Sequence, residues 1–163
     1  MSLVRLTFWM ALCVGSAAAA DPLADMEGSW RGSGWAREIQ EGPKETVRCQ
    51  INNSYDGVTL TLKLSGRCAV PGRKLTISGT LTGSKESEQI TGRWSNPDGI
   101  GSVRVSGYQR EGVVVFAFDT KDPSTGRDLA QNVEWRLSEG QLRLRSVDRN
   151  DPSLKISDIS FKQ

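Results

Sequence analysis

From Trp30 to the C-terminus, apolar residues recur at every second position, and that spacing constrains the fold more than any other feature. The run Val58-Thr-Leu-Thr-Leu-Lys-Leu64 places Leu60, Leu62 and Leu64 on one face; the stretch 74–81 does the same with Leu75, Ile77 and Leu81. Val133, Trp135 and Leu137 alternate with Glu134 and Arg136, and Leu142 and Leu144 alternate with Arg143 and Arg145. A period of two sets one face in a core and the other in water, the pattern of half-buried antiparallel strands. The 3.6-residue period of an amphipathic helix is almost absent after residue 21.

Turn-forming clusters break these runs at short intervals: Glu41-Gly42-Pro43, Tyr55-Asp56-Gly57, Pro71-Gly72, Asn96-Pro97-Asp98-Gly99, Glu111-Gly112 and Glu139-Gly140. The spacing predicts about ten strands, over 29–40, 44–53, 57–65, 73–83, 87–95, 100–109, 112–119, 129–138, 141–147 and 154–162. Short links make neighbours in sequence neighbours in the sheet. The fold expected is therefore all-β, an antiparallel up-and-down meander of roughly eight to ten strands that closes into a barrel and so loses both edges. A two-sheet β-sandwich is the alternative. Two strands depart from the pattern. Gly112 to Phe118 is apolar on both faces, which predicts a cover from a terminus or loop such as Asp21–Glu27, or else a stripe for a partner. Ser153 to Phe161 changes phase, which predicts a bulge near Ser157-Asp158.

The first strand, Gly28-Ser-Trp-Arg-Gly-Ser-Gly-Trp35, mixes two indoles with glycines. In a straight strand Trp30 and Trp35 face opposite ways; a bulge at Gly32–Gly34 would bring both inside. The glycines would let the strand bend over one end, and the indoles would plug it.

Residues 1–20 read as a signal peptide. Arg5 supplies the charge, Leu6 to Gly15 the apolar run, and Ala18-x-Ala20 the cleavage signal before Asp21. That run is too short for a spanning anchor. The domain expected is 21–163, exported to a Gram-negative periplasm or secreted. Without Arg5, 20 of the 21 Lys and Arg remain against 19 Asp and Glu, a net charge of +1, and no basic block occurs along the chain. No nucleic-acid partner is expected from that distribution. Cys13 leaves with the leader, so Cys49 and Cys68 form the expected disulfide of an exported chain. A hairpin centred on Tyr55-Asp56 sets Cys49 opposite Leu62, so this pairing requires the chain to fold back at Ser65-Gly66.

Gly28-Ser-Trp30 resembles the Gly-x-Trp on the first strand of lipocalin-like (calycin) barrels. The resemblance implies that Trp30 closes one end with a basic residue of the last strands, Arg143 or Arg145, stacked on it. The chain also resembles small exported bacterial β proteins that carry a cysteine pair. It departs from lipocalins in having no late helix and no second motif.

Much chemistry is excluded by composition. The chain contains no His, which removes Ser-His-Asp and Cys-His catalysis and the common zinc sites. No phosphate loop, nucleotide fingerprint or Cys-x-x-Cys pair is present, and no cofactor or metal is expected. Asp119, Asp122 and Asp128 share one loop, and Asp148 and Asp151 another; they read as turn residues, with a carboxylate hydrolase as the catalytic alternative. The aromatic set Trp30, Trp35, Trp94, Phe116, Phe118 and Trp135 forms either the barrel core or the lining for a small apolar ligand. The function expected is non-enzymatic binding of a small hydrophobic molecule or an envelope protein. A protease-inhibitor-like barrel using Asp21–Glu27 or a rim loop is the second expectation.

Overall fold

A computed structural model describes residues 21–38, 41–123 and 125–163. The expected signal peptide and residues 39–40 of the first expected strand lie outside these. One helical turn, α1 (Pro22–Asp25), precedes ten strands: β1 (Gly28–Arg37), β2 (Lys44–Asp56), β3 (Thr61–Val70), β4 (Arg73–Thr82), β5 (Gln89–Asn96), β6 (Gly101–Arg110), β7 (Val113–Lys121), β8 (Asp128–Ser138), β9 (Gln141–Asp148) and β10 (Lys155–Lys162). Each strand pairs antiparallel with the next, and β1 pairs with β10 to close the barrel. The up-and-down meander therefore closes, consistent with a calycin-like barrel. Burial alternates along the strands, as in eieBeBeBeBeie over β2. The apolar set points inward and the polar set outward, the reverse of a barrel facing lipid.

The glycines of β1 are what let it close. Both face inward with Trp30. A Cβ at Gly32 would lie 2.5 Å from Cδ1 of Phe161, so its absence gives that ring its seat. A Cβ at Gly34 would run into the carbonyl oxygen of Asp158, so only glycine lets β10 pack this close. The strand bends without the expected bulge: β1 keeps an unbroken register with β2 from Gly28↔Asn53 to Arg37↔Lys44. With no extra residue, Trp30 points inward and is 1% exposed, whereas Trp35 points outward under the Lys44 ammonium, 4.0 Å from its ring centroid. Trp35 is thus no part of the interior. The bulge expected late in the chain is present one step earlier, with the β9–β10 register shifting between Lys155 and Ser157, so that Ile156, Ile159 and Phe161 all turn inward.

The β2–β3 hairpin corrects the expected register. The turn occupies 57–60, with Leu60 in the left-handed region at φ 53°, and not the Tyr55-Asp56 pair. Asp56 caps it, its carboxylate accepting from Val58 N at 2.8 Å and Thr59 N at 3.3 Å. Moving the turn shifts the partner of Cys49 from Leu62 to Cys68, with a Cα–Cα distance of 4.0 Å. The disulfide forms between directly opposed inward positions, and no fold-back at Ser65-Gly66 is needed.

Outward apolar residues of β7, namely Val113, Val115 and Ala117, are half-buried. Asp21–Glu27 does not cover them; it enters the barrel instead.

Reducing the disulfide, or replacing both cysteines by Ala, is expected to lower unfolding free energy by about 3 kcal/mol, the loop-closure value for this spacing, read from urea unfolding. Gly34→Ala is expected to destabilise by about 2–3 kcal/mol, because the new methyl forces β10 away from β1; the same urea curves test it.

Candidate functional site

Two ends of the barrel differ. The end where β1 begins is closed by α1. Asp21 caps this turn, its Oδ1 accepting from Leu23 N at 3.1 Å, and Pro22 follows as the first helical residue. Leu23 is 0% and Met26 1% exposed, so both side chains form the stopper. The Met26 carbonyl accepts from Trp30 Nε1 at 3.0 Å and from Asn53 Nδ2 at 2.9 Å, which satisfies the indole inside the barrel. Gln163 Nε2 donates to the Glu27 carbonyl at 3.3 Å, and the Tyr55 hydroxyl donates to Asp21 Oδ2.

Arg143 and Arg145 take no part in this closure. Leu142 and Leu144 occupy the inward phase of β9, so the arginines project outward. Arg143 makes two 2.7 Å bonds to the Asp158 carboxylate, and Arg145 lies 3.6 Å from it. The Arg143 hydrogen bond holds the Asp158 carboxyl below the usual carboxylate range. The basic cover implied for Trp30 is replaced by a backbone carbonyl of α1.

Above Trp30 lies a layer of four aromatics. Trp135 stacks on Phe161 with centroids 5.9 Å apart, and Trp94 meets Phe116 at 5.9 Å and Trp135 at 6.4 Å. This layer floors a cavity of about 340 Å³ that opens at the other end of the barrel. Its walls are mostly apolar, with Val47, Val70, Ile77, Leu144 and Ile159 among them and the Cys49–Cys68 bridge on one side. Of the aromatic residues expected to line a site, Trp94 and Phe118 reach the cavity; Phe116 and Trp135 are buried in or behind the floor, Trp30 belongs to the closed end, and Trp35 is outside.

Polar groups interrupt the apolar wall at a few places; Asn96 of β5, whose Oδ1 is buried without a hydrogen-bond partner among the described residues, lies on the lining, as do Asp98 and Asp122. Gln131 of β8, Ser146 of β9 and Ser157 of β10 line the cavity, with Ser146 and Ser157 hydroxyls 2.7 Å apart. The mouth carries an ion-pair clasp: Arg73 bonds Glu38 at 2.7 Å and Glu45 at 2.8 Å, which ties β4 to both sides of the β1–β2 turn. Sequence reasoning missed the polar spot, the clasp and the stopper. The spot was signalled by phase, since Ser146 shares parity with Leu142 and Leu144, and Gln131 with Val133 and Trp135. The stopper was signalled by Asp21-Pro22, a cap followed by proline.

Of the loop carboxylates, Asp122 lines the cavity, and Asp119, Asp128, Asp148 and Asp151 do not. Asp119 pairs with Arg149, Asp128 with Lys121 at 2.8 Å, and the carboxylates of Asp122 and Asp148 accept backbone N–H groups of their own turns. Among the described residues, no group of three Cys, Asp or Glu side chains is placed to hold a metal ion. The segment Asp21–Glu27, the expected contact for a protease, inserts Pro22, Leu23 and Met26 into the barrel end and leaves Asp25 and Glu27 exposed. No protein-family model matches the chain, and no curated protein matches it.

The Tyr55–Asp21 contact predicts a pH dependence. Burial, then the hydrogen bond to Asp21 and its charge, push the Tyr55 hydroxyl up to about 12 from an ordinary value of 10.0. A folded-state value above the unfolded one favours the folded state fully below about pH 10 and loses that contribution as pH rises through about 12. Thermal unfolding across that interval is expected to show a stability loss that Tyr55→Phe makes shallower.

Proposed function

We propose that this protein is an exported, non-enzymatic binding protein that holds a small, mainly apolar molecule in the open cup of its barrel. The observation that carries the reading is the cavity itself: one end stoppered, a floor of aromatics, and mostly apolar walls with a few polar groups. Binding sites for small molecules have this composition, with few polar groups that fix orientation. Barrels of this size hold one small ligand, as lipocalins do, and the Gly28-x-Trp30 resemblance supports the same reading.

Volume and chemistry narrow the ligand. A cavity of about 340 Å³ lies at the small end of the range of ligand pockets. The Gln131–Ser146–Ser157 spot offers both donors and acceptors, so a neutral hydroxyl or carbonyl is the natural partner. A medium-length aliphatic molecule with one such group fits both limits.

Native mass spectrometry of the protein purified from its exporting host tests this reading. The expected spectrum shows a chain beginning at Asp21, carrying the mass deficit of a closed disulfide and a non-covalent adduct. Titration with 1-decanol is expected to change Trp94 fluorescence, and Leu144→Trp, which fills the cup, to abolish both adduct and response. An adduct-free spectrum together with no response to 1-decanol would overturn the proposal.

A further inference from the structure

The outer wall of β1–β6 is a second surface, separate from the cup. Arg31, Arg48, Lys63, Arg67, Arg93 and Arg104 project from it, are exposed, and enter no ion pair among the described residues. Asp56 is the one acidic residue at an outward position of these six strands, and it caps its own turn. On β7–β9, by contrast, outward cations are matched: Arg136 with Glu134, Arg143 and Arg145 with Asp158, and Lys121 with Asp128; on β10, Lys155 and Lys162 enter no ion pair among the described residues. The near-neutral total charge hides this, because the strand period sends cations to the wall while many acids sit at turns and strand ends.

Register orders the cations into two ridges. Lys63, Thr80, Arg93 and Arg104 are successive cross-strand partners. Arg31, Gln50 and Arg67 form the other row, with Arg48 beside them. A row of small polar side chains, Ser29, Asn52, Ser65, Ser78, Ser95 and Ser102, each opposite the next across six strands, is bordered by the first ridge on β3–β6 and by the second on β1–β3, so that both ridges flank it at β3. Along β3 the ridges stand four residues apart, about 13 Å at strand rise. A shallow concavity bordered by Gln50, Asn52, Ser65, Arg67, Thr76 and Ser78 lies where the serine row meets the second ridge. Arg93 stands directly opposite Arg104, an arrangement that repels and lowers stability when nothing neutralises it.

We infer that this trough binds a linear anionic polysaccharide, laid across the strands with its acidic groups on the ridges and its hydroxyls on the serine row. Charge complementarity selects a polyanion. Hydroxyl and amide side chains in the trough match sugar hydroxyls. Single-stranded nucleic acid would need aromatic platforms for its bases, and the trough has none. A lipid surface would need apolar side chains to insert, and the serine row provides none.

Calorimetric titration of the protein with heparin and with polygalacturonate, at two salt concentrations, tests the assignment. Lys63→Gln/Arg93→Gln/Arg104→Gln is expected to weaken binding about tenfold or more and to reduce the salt slope by roughly one per cation removed. Lys121→Gln/Arg136→Gln/Arg145→Gln, which removes equal charge from the opposite wall on β7–β9, is expected to stay within about twofold. Ser65→Phe keeps every charge and fills the trough, and is expected to weaken binding several-fold. The ridge variant is also expected to melt at a higher temperature, since the Arg93–Arg104 repulsion is gone, so lost binding is separable from lost folding. The inference fails if neither polysaccharide binds, if the two triple variants lose affinity equally, or if duplex DNA or phosphatidylglycerol vesicles bind more tightly at equal salt.

Discussion

The pairing of β1 with β10 is the contact on which the rest of the structure depends. It turns a ribbon of strands into a vessel, and it exists because Gly32 and Gly34 present no Cβ where Phe161 and the Asp158 backbone must sit. Closure gives each strand a definite inside and outside. Once that is set, parity distributes the side chains: Trp30 goes in and Trp35 out, Leu142 and Leu144 in and Arg143 and Arg145 out. Side chains that share a strand thereby meet different solvents and take up different tasks.

Inside, the barrel is graded along its axis. The stopper and aromatic layer consume the largest side chains at one end, and smaller aliphatic residues with the disulfide leave room at the other. A packed interior would fill throughout. Here volume declines towards the mouth, while Arg73, Glu38 and Glu45 brace the opening. The same strands carry an opposite chemistry on their outer face, where cations without ion-pair partners among the described residues gather on β1–β6. Two surfaces back to back across one sheet is what a closed β wall permits, since its residues alternate between them.

Much of this was legible in the residues. All ten strands, their antiparallel order and closure follow from period two and from turn chemistry. Tyr55-Asp56 misled because, followed by Gly57, it looks like the centre of a tight hairpin, whereas the loop continues to Leu60, a branched side chain in a left-handed conformation that sequence gives no reason to expect. That error alone produced the unneeded fold-back at Gly66. The expected bulge in β1 failed because a glycine strand can bend by close approach of its neighbour as well as by inserting a residue. The cationic wall was invisible for another reason. Lys63, Arg93 and Arg104 are far apart in sequence, and only pairing across β3, β4, β5 and β6 lines them up. The site's polar spot was similarly scattered over three strands.

The seam between the first and last strands also dictates when this molecule can become whole. Every other strand pair is local and can form as the polypeptide emerges, but β1 must wait for residues 157–162. Until then the nascent sheet carries two bare hydrogen-bonding borders, open to each other and to neighbouring chains. A chain interrupted anywhere before its last strand has no vessel at all, so truncation near the C-terminus and at the middle should be equally ruinous to closure. Secretion in an extended form would suit such an architecture, because the sealing step then falls after passage is complete.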